Sequence, residues 1–134
     1  MTQPQSPRAP AASSAINILV VDDNLDALEM LVEALNMLGY EAHPAANVQA
    51  ALSVAREKRP NVALLDIGLP DMDGYELGKH LRQLPGLDGL RLVALTGYGQ
   101  ASDKARSSSL GFVAHLVKPI DLNALRVLLG ELSA

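Results

Sequence analysis

The stretch Ile18-Leu19-Val20-Val21-Asp22-Asp23 reads as a strand without a polar face that runs straight into two acids. A strand with one wet face alternates apolar and polar residues, whereas an unbroken apolar run suits a parallel strand covered on both sides. Three further runs have this form. Val62-Ala63-Leu64-Leu65 ends on Asp66, Leu92-Val93-Ala94-Leu95 on Thr96, and His115-Leu116-Val117 on Lys118. Parallel strands share a direction, so these ends fall on the one edge of the sheet where open α/β folds bind ligands. Acids, a hydroxyl and an amine are thereby brought to one crevice.

The segments between these runs carry helical periodicity. From about Asn24 to Leu38, residues Leu25, Leu28, Leu31, Val32, Leu35 and Leu38 form one stripe, and Gly39 follows as a left-handed cap. A short strand over 41–45 precedes a helix opened by Asn47 and closed before Pro60. After a strand over 61–65, the loop IGLPDMDG leads to a helix from about Tyr75 to Leu84, interrupted by Gly78 at a cost of about 1 kcal/mol. A strand over 91–95, a weaker helix near 101–110 with Ser107, Ser108 and Ser109, and a strand over 112–117 come next. The last helix is capped by Asp121, with Leu122, Leu125, Leu128, Leu129 and Leu132 inward. Right-handed crossovers with short connections restrict this alternation to few topologies, of which an α/β, flavodoxin-like three-layer sandwich with a parallel five-stranded sheet in the order 2-1-3-4-5 is the natural choice.

A chain of 134 residues, 49% of them hydrophobic, supports one domain that buries roughly two thirds of its unfolded surface. Residues 1–14 contain Pro4, Pro7 and Pro10 and no apolar stretch, so they are expected to be a disordered tail or linker, with the domain over 15–134. The formal charge of −4, without a cluster of Lys and Arg, argues against direct nucleic-acid binding. No apolar run reaches the length of a membrane span. Cysteine is absent, which excludes disulfides, thiolate zinc sites and redox motifs and suits a cytoplasmic location.

In the predicted order the first strand lies beside the third at about 4.8 Å, so Asp22, Asp23 and Asp66 converge. Like charges about 4 Å apart cost on the order of 4 kcal/mol at an effective dielectric near 20. A divalent cation is the expected remedy, and hard oxygens that leave places for water suit Mg²⁺ (or Mn²⁺). One acid after the first strand could instead cap the following helix. Two adjacent acids plus a third on the neighbouring strand exceed that need. Lys118 can reach across two strands to an anion at the rim, and Thr96 can offer that anion a hydroxyl. The plainer alternatives are a solvated turn lysine and a β-branched residue that merely ends its strand.

Taken in order, Asp22-Asp23, Asp66 with Pro70 and Gly74, Thr96, and Lys118-Pro119 closely resemble the receiver domain of two-component response regulators, from about Ile16 to Leu132. The resemblance implies that Asp66 is the phosphoacceptor, taking a phosphoryl group from the phosphohistidine of a histidine kinase or phosphotransfer protein. It implies Mg²⁺ held by Asp23, Asp66 and the backbone carbonyl of Gly68, with Asp22 acting through water. Lys118 would pair with the phosphoryl group and Asp66, Thr96 would swing to a phosphoryl oxygen, and the Lys118-Pro119 bond would be cis. Three acids, one Lys and Mg²⁺ cancel in charge, and a phosphoryl near −2 on Asp66 leaves about −1. Catalysis would be limited to the module's own phosphorylation and dephosphorylation. Its output would be a shift of the weak helix and fifth strand, read by a protein partner, with that surface and the last helix also available to a second copy.

Two departures from the family pattern stand out. Receivers usually carry Tyr or Phe three residues before the lysine, and this chain has His115, which is expected to rotate inward behind Thr96 as the switch and to confer pH dependence if it titrates near neutrality. Gly68 and Tyr98 stand at positions that in receivers modulate water access to the acyl phosphate, so the resemblance implies that Gly68 shields nothing and that Tyr98 limits hydrolysis. The wording LTGYGQ and GFVAHLVKPID resembles receivers attached to hybrid sensor kinases, where the Pro-rich tail would serve as a linker. A haloacid-dehalogenase-type phosphatase is the main rival, but it needs a second Asp two residues after the first, where Gly68 stands. A nucleotide or flavin module would need glycines in place of DDNLD, and a calcium loop in PDMDG lacks its first and last acids. His43 and His80 are expected at the surface.

Overall fold

The structure, a computed structural model, describes residues 16–97 and 109–133. Its strands are β1 (Asn17–Val21), β2 (Glu41–Ala45), β3 (Val62–Asp66), β4 (Arg91–Thr96) and β5 (Phe112–Val117). Its helices, among the described residues, are α1 (Leu25–Met37), α2 (Val48–Lys58), α3 (Gly74–Arg82) and α4 (Leu122–Ser133). All pairings are parallel, in the order β2-β1-β3-β4-β5, as the alternation of elements predicts. The terminal tail, Tyr98 and nearly all of the helix expected over 101–110 lie outside the described residues. Among those described, no helix is long and apolar enough to cross a membrane.

The unbroken apolar runs are explained by two cores. Successive strand residues point to opposite faces. Leu19, Ala63, Leu65, Leu92 and Ala94 therefore pack with Ala51 and Ala55 of α2 and Leu77 and Leu81 of α3. Ile18, Val20, Val62, Leu64, Val93 and Leu95 pack on the other face with Leu28, Leu31 and Leu35 of α1 and Leu125 and Leu129 of α4. Gly78 has a packing reason: a Cβ there would stand 2.8 Å from the Phe112 ring and 2.9 Å from Leu92 Cδ1. Its helix cost is offset by the close seat of α3 on β4 and β5.

Two residues placed on the inward stripes do not belong there. Leu25 is 64% exposed and Leu122 46% exposed. Each is the first residue of its helix. Val32, Leu38, Leu128 and Leu132 are half-buried flanks of their stripes. His43, expected at the surface, is largely buried on edge strand β2 beside Leu19, with Nε2 3.2 Å from Glu41 Oε2, whereas His80 is exposed.

Candidate functional site

The parallel register delivers the polar strand ends to one place. Val21 pairs with Leu65, Asp66 with Leu95, and Thr96 with Val117, so the residues that end or follow these strands line one edge. Asp66 and Thr96 are themselves the last residues of β3 and β4, one residue beyond the expected ends. The Lys118 N–H donates to the Thr96 carbonyl at 2.7 Å, which carries the β4–β5 pairing up to the lysine. The Lys118-Pro119 peptide is cis.

Asp22, Asp66 and Thr96 are buried, at 2%, 8% and 3% exposure, and Asp23 is exposed. Burying a carboxylate is costly unless its oxygens find donors. Asp22 Oδ1 accepts from the Asn24 N–H at 3.0 Å, and its Oδ2 lies 2.6 Å from Lys118 Nζ. Asp66 Oδ1 accepts from the Gly68 N–H at 2.9 Å, and its Oδ2 lies 3.3 Å from Lys118 Nζ. The ammonium thus bridges both acids and lies closer to Asp22 than to Asp66. Asp22 is the more deeply buried of the two. Burial pushes the Lys118 pKa down, yet the hydrogen bond to Asp22 and the charges of Asp66 and Asp22 outweigh it and hold the value above that of an ordinary lysine.

The capping alternative for the acids after β1 is occupied by another residue. Asn24 is the N-cap of α1, accepting from the Ala27 N–H at 3.0 Å. Asp22 and Asp23 are left to the crevice, where one carboxylate oxygen from each, with one from Asp66, lie within 4.8 Å of one another. Three hard oxygen donors at such spacing fit a small divalent cation that keeps several waters.

The loop after Asp66 is folded back onto it. The Gly74 N–H donates to the Ile67 carbonyl at 3.2 Å, and a Cβ on Gly74 would stand 2.5 Å from both the Asp66 carbonyl oxygen and Ile67 Cα. Only glycine allows that approach. Asp73, part of the rejected calcium reading, is the N-cap of α3 and accepts from the Tyr75 N–H at 2.8 Å. His115 is half-buried on β5, with Nε2 3.3 Å from Tyr75 Oη. Tyr75 escaped sequence reasoning because an aromatic opening a helix is indistinguishable from an ordinary core residue.

With that geometry in place, the comparisons with known proteins agree with one another. Residues 18–129 match the response regulator receiver domain. The chain is 35% identical over 109 residues to sporulation initiation phosphotransferase F of Bacillus subtilis, covering 81% of this chain and 86% of that protein. It is 34% identical over 123 residues to sensor histidine kinase RcsC of Salmonella typhi, covering 92% of this chain but 13% of that one. It is also similar to the solved structure of chemotaxis protein CheY4 of Vibrio cholerae, with a TM-score of 0.80, 27% identity, and coverage of 88% of this chain and 98% of that one. The phosphatase alternative gains no support from these matches, and Gly68 offers Asp66 a backbone N–H where that chemistry requires a second acid.

Proposed function

Since the chain belongs to the response regulator receiver domain family, a phospho-accepting signalling module served by a kinase, we propose that Asp66 is the acceptor and that Asp22, Asp23, Thr96 and Lys118 are its working partners. The observation that carries this assignment is the placement of the Asp66 carboxylate: buried at a strand end, beside two other acids and 3.3 Å from an ammonium. The donor is the phosphohistidine of a histidine kinase or phosphotransfer protein. An Asp66 oxygen attacks phosphorus, the O–P bond forms as the N–P bond breaks, and the imidazole leaves with the bonding electron pair. Turnover of free substrates is not part of this reading.

Asp23, Asp66 and the Gly68 carbonyl would hold Mg²⁺, with Asp22 reached through water; when bound, the ion neutralises acid charge and stabilises the transferring phosphoryl group. Lys118, kept charged by its two acidic neighbours, is placed to follow the negative charge as it moves from the donor to Asp66. The Asp22 contact holds the ammonium at the rim before an anion arrives. Thr96, one strand from Asp66, would hydrogen-bond a phosphoryl oxygen, and His115 would follow it inward as the switch side chain. The surface around β5 would then be read by a downstream protein or a second copy. A module fed by such donors belongs in the cytoplasm.

The test is intact-mass analysis after incubation with acetyl phosphate and Mg²⁺. Wild type should gain one phosphoryl group and Asp66→Asn none; equal labelling of both would defeat the assignment.

A further inference from the structure

We propose that Tyr75 and His115 form a hydrogen-bonded latch that holds the phosphorylation switch in its resting state, with Tyr75 as the positioning residue. The inference rests on the reading of His115 as the switch side chain. Tyr75 is buried at the start of α3, and its ring meets β5 at two points. The edge contact with Phe112 has centroids 5.2 Å apart and planes at 78°, and the contact with His115 has 6.4 Å and 64°. The phenol oxygen then lies 3.3 Å from His115 Nε2. Both residues make other interactions besides this one.

Chemistry gives the pair its meaning. A Tyr or Phe at the switch position presents no ring nitrogen, whereas the imidazole of His115 does, and the phenol can answer it in either charge state. Tyr75 Oη donates to an unprotonated Nε2 and accepts from a protonated one. In this proposal His115 leaves the Tyr75 contact as it moves towards Thr96. At 3.3 Å it lies at the long end of hydrogen-bond geometry, which suits a restraint that yields to a modest bias. Tyr75 also follows Gly74, whose backbone rests on the Asp66 carbonyl, so the latch is anchored to the chain that carries the acceptor. A hydrogen bond of ordinary net strength biases a two-state equilibrium roughly 2- to 10-fold.

The experiment is ¹⁵N NMR of the His115 ring in the full chain, with a titration of beryllofluoride in Mg²⁺ as the phosphoryl stand-in. In Tyr75→Phe, which keeps the ring against Phe112, the unliganded Nε2 resonance should move towards its beryllofluoride-saturated wild-type position. Beryllofluoride should also bind roughly 2- to 10-fold more tightly. In a His115→Phe background the same Tyr75→Phe change should leave affinity unaltered, because the hydroxyl then has no Nε2 to hold. Unchanged Nε2 shifts and affinity in Tyr75→Phe, or an equal fold-change in both backgrounds, overturns the latch. If saturating beryllofluoride moves the Asp66 amide in wild type but leaves His115 untouched, the switch reading fails and the latch fails with it. If the Asp66 amide does not move at all, the acceptor assignment is what fails.

Discussion

At the C-terminal edge of the sheet Asp22, Asp23 and Asp66 bring carboxylate oxygens within 4.8 Å of one another, with Lys118 bridging two of them. At the opposite edge three arginines bind backbone. Arg59 Nη1 donates to the Pro85 carbonyl at 3.0 Å, Arg82 Nε to the Asp88 carbonyl at 3.1 Å, and Arg91 to the Leu132 carbonyl. Asn61 Oδ1 accepts from the Asn17 N–H at 2.8 Å and ties β1 to the start of β3. The arginines satisfy carbonyls that loops and helix ends leave open, which favours the fold. The acids do the reverse, since their mutual repulsion favours unfolding and becomes useful only when a cation or a phosphoryl group is involved. At the far edge charge only closes off backbone, whereas at the C-terminal edge Lys118 holds together acids that would otherwise repel.

Substitutions should therefore differ in sign within the acidic edge and in size between the two edges. Lys118→Ala leaves Asp22 buried without its ammonium, and urea unfolding should show a loss of about 3 kcal/mol. Because the Lys118 pKa is raised on folding, its contribution is complete below the ordinary lysine value and is lost as pH rises through the raised one. The penalty should stay constant between about pH 6 and 9 and shrink only in stronger alkali; a penalty already shrinking at about pH 8 contradicts the ion bridge. Gly74→Ala drives a methyl into the Asp66 carbonyl and should cost about 2 kcal/mol, with slower phosphorylation by acetyl phosphate. Unaltered stability in that variant would show that the loop can retreat from the acceptor.

Asp23→Asn should go the other way. Removing one of three crowded charges should raise stability in a chelating buffer by roughly 1 kcal/mol, and the stabilisation expected from Mg²⁺ in the wild type should largely disappear. Thermal unfolding with and without the ion measures both, and a variant less stable than wild type in chelator would mean that Asp23 is a structural residue. Arg91→Ala at the far edge should cost at most about 0.5 kcal/mol and leave acetyl-phosphate labelling intact.

The difference between the edges also marks how far the amino-acid sequence could be read. Strand order and both cores were legible because buried parallel strands leave unbroken apolar runs and because crossovers have one hand. The convergence of Asp22, Asp23, Asp66, Thr96 and Lys118 follows from those rules together with the choice of the 2-1-3-4-5 order. The lean of Lys118 towards Asp22 does not follow, since it depends on sub-ångström offsets between strand ends. Leu25 and Leu122 were misjudged because helical periodicity says which way a residue points but not whether anything packs over the first residue of a helix. The Tyr75–His115 contact joins a helix start to a strand 40 residues away, and neither residue carries a local sign of the other.

The central claim is that three strand-end carboxylates make one cation site and that this site turns Asp66 into an acceptor. Peptide-mapped phosphorylation by acetyl phosphate across a Mg²⁺ titration tests it most directly. The account predicts label on Asp66 alone, rising saturably with Mg²⁺ and absent in chelator. Label on another residue, or label on Asp66 that is indifferent to the ion, would contradict it.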